Sequence, residues 1–189
     1  MSKLALKGSS KTVCDYFEFS INSILFQRGI YPSEDFQTVK KYDIPLVRVI
    51  DEDIKSYINQ FLEQIKKWVY GTKLQKLILV IIDKDLGEGI ERWEFDLENN
   101  ENITTKESER KEIQTIIRQI TSSSAYLPIL TGEYTFNILA YTQDTPIVPT
   151  EWADSQDLNL QGDVESVNFS RLKAGSHTVG TKVSYRLES

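Results

Sequence analysis

The chain has 189 residues and a mass of 21.8 kDa, enough for one domain with its own apolar core. Its formal net charge of -6 and the lack of a dense lysine and arginine patch exclude nucleic acid as the expected primary partner. The longest apolar run, residues 77–82, is too short to cross a bilayer, so no membrane insertion is expected. A single cysteine, Cys14, favours a reducing compartment.

Two amphipathic patterns predict helices in the first part of the chain. Residues 9–28 carry apolar side chains at helical spacing, with a serine at the start and Gly29 at the end. A second pattern runs from Asp51, the expected N-cap, to Gly71, the expected C-terminal stop. Because the first helix has phenylalanines on several sides, it is expected to be central.

A third helix is predicted after the polar loop at residues 98–112. Thr104 and Glu107 have the spacing of a capping box at its start. The apolar side of this helix is expected to comprise Ile113, Ile116, Ile117, Ile120, Ser124 and Leu127.

The remaining patterns predict an antiparallel sheet. Residues 76–83 read as an interior strand, and residues 90–97 alternate as its hairpin partner. Residues 133–142 give a third strand, and residues 164–172 and 177–187 give a C-terminal hairpin. The predicted fold class is α+β, with three helices packed on an antiparallel sheet.

No residue pattern predicts catalysis, a cofactor or a metal. The single histidine, His177, and the single cysteine, Cys14, lack the partners of a nucleophilic site. Asp83, Asp85 and Glu94 have calcium-loop spacing, but the loop lacks its glycine and is flanked by strands, which favours a tight turn. The chain is therefore not expected to be an enzyme.

Two surfaces remain as candidate sites. On the third helix, Arg118 and Tyr126 lie opposite the isoleucines beside the small residues Ser122 and Ala125, as in an interface, although the pattern alone favours a solvated arginine. The strand at residues 133–142 has usable side chains on both faces. One row comprises Tyr134, Phe136, Ile138 and Ala140, and the other comprises Thr135, Asn137, Leu139 and Tyr141. Its outer edge could pair with a peptide or with the C-terminal hairpin, and both alternatives stay open.

Long motifs then give a resemblance that spans nearly the whole chain. The segments "FEFSINSILFQRGIYPSEDF", "LVIIDKDLGEGIERWEFD", "IIRQITSSSAYLPIL", "YTFNILAYT", "VPTEWADS" and "HTVGTKVSY" resemble, in order, the HORMA-domain spindle-checkpoint proteins of fungi. The resemblance implies a single HORMA domain over residues 1–189, with a core at residues 1–144. It also implies a mobile C-terminal "safety belt" at residues 145–189.

In that family, the strand matching residues 133–142 receives a partner's peptide. The C-terminal hairpin occupies this edge in an open form, and in a closed form it crosses to the far side of the sheet and locks the peptide in place. The resemblance implies that the peptide-binding edge strand comprises Tyr134, Thr135, Phe136, Asn137, Ile138, Leu139, Ala140 and Tyr141. It implies belt positions at Trp152, His177, Val183 and Tyr185.

The same resemblance assigns Arg118, Gln119 and Tyr126 to an interface between an open and a closed copy of the chain, and Leu6 to the segment rearranged during conversion. The implied partners are the kinetochore-bound coiled-coil checkpoint scaffold and the activator subunit of the anaphase-promoting complex. The implied locations are the nucleus and kinetochore, and also the cytoplasm or nuclear envelope. A HORMA adaptor of the meiotic axis or of translesion-polymerase bridging is the alternative.

Overall fold

The computed structural model describes residues 3–143, 146–147 and 159–187. Two short 3-10 turns, Ser33–Asp35 and Ser123–Ala125, accompany the main elements. In chain order these are α1 (Lys3–Gln27), β1 (Phe36–Lys41), β2 (Ile44–Val49), α2 (Glu52–Tyr70), β3 (Leu74–Asp83), β4 (Glu88–Asn99), α3 (Lys106–Ser122), β5 (Tyr134–Thr142), β6 (Pro146–Ile147), β7 (Val164–Asn168), β8 (Leu172–Ala174) and β9 (His177–Arg186). The three predicted helices and the antiparallel sheet are confirmed.

The main sheet has seven strands, in the order β6-β5-β3-β4-β9-β7, with β8 also paired to β9. Every strand pair is antiparallel. The central strand β3 is apolar on both faces, as its sequence predicts. Leu77, Leu79 and Ile81 join the core formed with the helices, whereas Ile78 and Val80 belong to a small cluster on the opposite face.

Helix α1 starts earlier than the sequence predicts, at Lys3 rather than Ser9. Neither serine near the predicted start caps the helix. The Ser10 hydroxyl donates to the Leu6 carbonyl within the helix, and the Ser9 hydroxyl donates to Ala174 in the C-terminal region. The end is as predicted, since Gly29 adopts a φ of 63° and closes the last turn.

The capping box of α3 is shifted by one residue from the predicted Thr104 and Glu107. Thr105 accepts a hydrogen bond from the Ser108 amide, and the Ser108 hydroxyl accepts one from the Thr105 amide. Thr104 is engaged elsewhere, because its hydroxyl accepts from the Gly175 amide at 3.1 Å.

The apolar side of α3 matches its prediction except near the end. The predicted isoleucines and Leu127 are buried. Ser124 is exposed and Ser123 is buried instead. The reason is that the helix tightens into a 3-10 turn at Ser123–Ala125, which rotates the side chains relative to an α-helix.

The hairpin of β1 and β2 has no counterpart among the predicted elements. Its two-residue turn, Tyr42 and Asp43, has positive φ at both positions, 54° and 56°. Such turns usually contain Asn-Gly or Asp-Gly, and because Tyr42 and Asp43 stand there instead, the sequence does not predict the hairpin. The hairpin packs on α1, where Asn22 accepts a hydrogen bond from the Val49 amide at 2.9 Å.

Candidate functional site

Strand β5 has one long and one very short neighbour. It pairs with β3 along its length, from Tyr134 to Thr142. On its outer side the described chain supplies only β6, which pairs with Ala140 and Tyr141. No described strand pairs with the outer side from Tyr134 to Leu139, although Asn137 makes an interaction of its own. Within the described residues, the two-residue strand β6 is thus the one strand on the outer side of β5.

The side chains of β5 divide between the two faces as the sequence predicts. Phe136, Ile138 and Ala140 are buried in the main core, with Tyr134 packed against it. Leu139 lies in the small cluster on the opposite face, where Tyr141 packs beside it. The strand is thus held firmly from both faces, while its outer edge has few backbone partners among the described strands.

The C-terminal strands β7, β8 and β9 lie towards the edge of the sheet that is opposite to β5 and β6. Strand β9 pairs with β4 from Glu91↔Tyr185 to Asn99↔His177, and β7 pairs with the far side of β9. The predicted hairpin is confirmed, except that its first strand is divided into β7 and β8. The hairpin therefore does not pair with β5 in this structure.

The chain passes from one side of the sheet to the other between β6 and β7. Ile147 is at the β5 edge, whereas Asn159 accepts a hydrogen bond from Arg92 on β4 at 2.6 Å. Arg92 lies on the face opposite the helices. On that face Ile78 and Val80 are 1% and 0% exposed, although no residue of a described helix belongs to their cluster. Trp152, assigned to the belt from the sequence, lies outside the described residues.

Three of the predicted belt residues are built into β9. Val183 is fully buried opposite Trp93 of β4. Tyr185 is nearly buried, and its hydroxyl donates to the Glu165 carboxylate at 2.9 Å. His177 starts the strand and is fully buried. All three therefore fix the hairpin in its present position rather than facing the β5 edge.

The His177 ring is held in a mostly apolar site. Its Nδ1 atom forms a short hydrogen bond with the Ser9 hydroxyl of α1, whereas Nε2 has no partner of good geometry in the described chain. Burial lowers the pKa of His177 from its ordinary value of 6.5, and the nearby Val69 carbonyl offsets part of this effect. The neutral ring is therefore the form that this site favours.

The predicted interface residues lie together on α3 and just after it. Arg118 is exposed and makes no salt bridge with any described residue. Gln119 is turned to the C-terminal region, where it exchanges two hydrogen bonds of 2.9 Å with Ser170. Tyr126 is 44% exposed, and Ile129 nearby is 81% exposed. These residues form a surface with a cation, an aromatic ring and an aliphatic side chain.

Leu6, the residue assigned to conversion, is half-buried in the first turns of α1. Sequence reasoning missed the neighbouring Ser9, and also Asn102 in the polar loop before α3. Both bind the turn between β8 and β9. A polar residue in a polar loop carries no periodic signal, and a serine near a helix start is first taken as a cap, so neither contact could be read from the sequence.

Metal binding and membrane insertion gain no support from the described residues. No three histidine, cysteine or acidic side chains gather there in a way that could hold a metal ion. Asp83 instead accepts bonds from the amides of Asp85 and Leu86, which makes the acidic segment a tight turn. No helix in the described ranges combines the length and apolarity needed to cross a membrane.

Sequence comparisons place these features in context. The HORMA domain pattern matches residues 9–177. The mitotic spindle checkpoint component MAD2 of Saccharomyces cerevisiae is 45% identical over 192 residues, covering 97% of this chain and 97% of that protein. The mitotic spindle checkpoint component mad2 of Schizosaccharomyces pombe is 44% identical, covering 98% and 96%. Human mitotic spindle assembly checkpoint protein MAD2A is 36% identical, covering 97% and 93%.

Solved structures show the same relationship. A chain in a crystal structure of the mitotic checkpoint complex superimposes with a TM-score of 0.85 at 44% identity, covering 95% of this chain and 99% of that one. The C. elegans protein HTP-2, bound to the HIM-3 closure motif, superimposes with a TM-score of 0.79 at 21% identity, covering 94% and 90%. The second likeness concerns the fold alone.

Proposed function

The chain belongs to the HORMA-domain family and, within it, to the MAD2 spindle-checkpoint components, and on that premise we propose that it traps a linear peptide segment of a partner at the outer edge of β5. The C-terminal belt, residues 145–189, would hold the trapped segment. When the segment belongs to the activator of the anaphase-promoting complex, trapping sequesters that activator and delays anaphase. The chain then acts as an adaptor and inhibitor, and it needs no catalytic residue.

The observation that carries this proposal is the outer edge of β5. From Tyr134 to Leu139 it lacks a paired strand in the described chain, while both faces of the strand are firmly packed. A peptide added as an extra strand would gain main-chain hydrogen bonds to a rigid template. It would meet a preformed edge, so little conformational entropy of the protein would be lost on binding.

The path of the C-terminal region supports the belt. β6 lies on the same edge that would take the peptide, and β9 lies on the far side of β4. The two ends of the belt are therefore anchored on opposite sides of the sheet, with the peptide edge beside the first anchor.

We also propose that this arrangement is the closed one of two states. In the open state the hairpin would pair with β5 instead. Moving it requires loss of the nine residue pairs between β4 and β9 before their replacements form, so conversion is expected to be slow. A peptide that binds only the closed state shifts the populations by its differential affinity and no more.

The surface of Arg118, Gln119 and Tyr126 is proposed to join a closed copy to an open copy. Arginine and tyrosine supply most of the energy in many interfaces, and both are exposed here. Leu6 lies in the segment that would rearrange during conversion. Besides the activator, the expected partner is the coiled-coil checkpoint scaffold at kinetochores. The expected locations are the nucleus and kinetochore, with the cytoplasm or nuclear envelope in addition.

A binding experiment tests the proposal. A fluorescently labelled synthetic peptide from the checkpoint activator should bind the full chain and dissociate slowly, and a scrambled peptide should not bind. A variant that lacks residues 180–189 should lose the slow dissociation, because seven of the ten residues of β9 are removed. If the activator peptide fails to bind, a HORMA adaptor of the meiotic axis or of translesion-polymerase bridging becomes the better assignment.

A further inference from the structure

The turn that joins β8 to β9 is held by an unusual number of polar contacts. Asn102, in the loop between β4 and α3, contributes four of them. Its amide donates to the Gly175 carbonyl at 2.8 Å. Its side-chain nitrogen lies 3.1 Å from the carbonyls of Gly175 and His177 and 3.2 Å from the Thr178 hydroxyl. One side-chain amide thus faces three acceptors on the C-terminal hairpin.

Ser9 of α1 holds the same turn from the opposite side. Its hydroxyl donates to the Ala174 carbonyl at 2.7 Å and accepts from the Ser176 amide at 3.2 Å. Since the single hydroxyl proton goes to the carbonyl, the third partner, Nδ1 of His177, must be the donor in its own bond with Ser9. The packing is equally close, because a Cβ atom added at Gly175 would lie 3.2 Å from the Ser9 Cβ.

We propose that Asn102 and Ser9 form a clasp that sets the rate at which the C-terminal hairpin is released from β4. The inference rests on the proposed function in one respect only: release of the hairpin is what would free a trapped peptide. The clasp itself consists of contacts within the chain. It makes Asn102 and Ser9 positioning residues for the belt, and neither is a peptide contact.

The location of the clasp explains why it controls release. The pair Asn99↔His177 is one of the two ends of the β4–β9 ladder, so the turn lies at a point where the antiparallel pairing can begin to separate. The end of a ladder opens first unless other groups hold it. Asn102 and Ser9 supply such groups from a loop and a helix that do not belong to the hairpin.

The clasp is also remote from the peptide edge. Strands β3, β4 and β9 follow β5 in the sheet, so β9 lies three strand spacings, or about 14 Å, from β5. A change at Asn102 can therefore alter peptide release only through the hairpin. This separation allows the clasp to be tested apart from peptide recognition.

The decisive variant is Asn102→Asp, which keeps the side-chain shape but replaces the donating amide with a carboxylate that faces the carbonyl oxygens of Gly175 and His177. The matched control is Asn100→Asp in the same loop, where the side-chain amide contacts only the exposed Glu98 carboxylate. Ser9→Ala tests the clasp from α1. All three are made in the full chain.

The first measurement is hydrogen exchange in the ligand-free proteins, followed residue by residue in β9 and in the central strand β3. Asn102→Asp and Ser9→Ala should accelerate exchange in β9 at least tenfold, with β3 changed far less and Asn100→Asp unchanged. Equal acceleration in β3 and β9 would overturn the clasp, because it would show a general loss of stability. Exchange in β9 within twofold of the unaltered chain would overturn it as well.

The second measurement is dissociation of the labelled activator peptide. Asn102→Asp should raise the dissociation rate of the peptide by a factor similar to that found for hydrogen exchange in β9. If β9 exchanges faster in the variant but the dissociation rate is unchanged, the link between the clasp and peptide release is overturned. If no peptide binds, the proposed function fails, but the hydrogen-exchange result still decides whether the clasp exists.

Discussion

Arg28 and Glu91 form an ion pair that is almost wholly buried, with side chains 5% and 2% exposed and Nη2 of Arg28 3.0 Å from Oε1 of Glu91. Both side chains make further hydrogen bonds. Arg28 donates to the Pro128 carbonyl, and the Trp93 indole donates to Glu91 at 2.8 Å. The pair therefore ties the end of α1 to β4 and to the segment that follows α3.

Removing one partner of this pair should be strongly destabilising. Glu91→Gln leaves the Arg28 charge buried without its counter-ion, and we expect the free energy of unfolding to fall by about 3 kcal/mol. Burial raises the pKa of Glu91, while the Arg28 charge and the Trp93 donor offset part of that rise. Urea unfolding at neutral pH measures the loss.

A second substitution provides the control. In the double variant Arg28→Met with Glu91→Gln no charge remains buried, and the glutamine oxygen can still accept from Trp93. We expect the double variant to be more stable than Glu91→Gln alone. If the double variant is less stable than the single one, an unpaired charge is not the cause of the loss.

The sequence predicts the parts of this fold that repeat. The isoleucines of α3 recur at helical spacing, and the continuous leucine, isoleucine and valine run of β3 is typical of a strand covered on both faces, so these elements and their buried faces follow from the sequence. The β1–β2 hairpin does not, because its turn uses Tyr42 and Asp43 at positive φ instead of the usual glycine. The predicted start of α1, at Ser9, falls later than the observed start at Lys3, because a serine before an apolar periodic run is the usual signal of an N-cap.

The sequence predicts strand β5 of the candidate site but not the position of β9. Alternation identifies β5 as a strand packed on both faces, and the motifs identify its family. The side of the sheet on which β9 pairs cannot be read from spacing, because its alternating pattern would satisfy either edge. The contacts of Asn102 and Ser9 cannot be read from spacing either, since they join segments far apart in the chain and depend on where β9 lies.

Arg118→Ala should abolish self-association and leave the fold intact. Arg118 is exposed and bonds to no described acidic side chain, so the free energy of unfolding should change by less than about 0.5 kcal/mol. Sedimentation velocity should show the variant as a monomer at concentrations where the unaltered chain forms dimers. Lys111→Ala on the same helix is the matched control, and identical profiles for Arg118→Ala and the unaltered chain would contradict the interface.

Cys14 should be nearly inert in the native protein. Burial raises the pKa of its thiol to about 12, and the positive charge of Lys66 offsets only part of this effect. At about pH 8 the thiolate fraction is then about a thousandfold smaller than for an exposed cysteine. Alkylation by iodoacetamide, followed by mass spectrometry, should be slower by about that factor in the native chain than in urea. Comparable rates would show that the thiol is accessible and ionised.

Protonation of His177 should weaken the native state. Because burial lowers the pKa of His177 below 6.5, the unfolded chain takes up a proton at a higher pH than the folded chain does. The stabilisation is thus complete above about pH 6.5 and is lost as the pH falls below it towards the folded pKa, with a slope of at most about 1.4 kcal/mol per pH unit.

The variant His177→Asn isolates this contribution, because its amide nitrogen can still donate to Ser9 but does not titrate. Urea unfolding at about pH 7.5, 6.5 and 5.5 should show a smaller loss of stability towards low pH in the variant than in the unaltered chain. Glu91, whose raised pKa acts in the opposite direction, is common to both proteins and cancels in the comparison. Parallel pH profiles for the two proteins would mean that His177 can be charged in the folded state without cost.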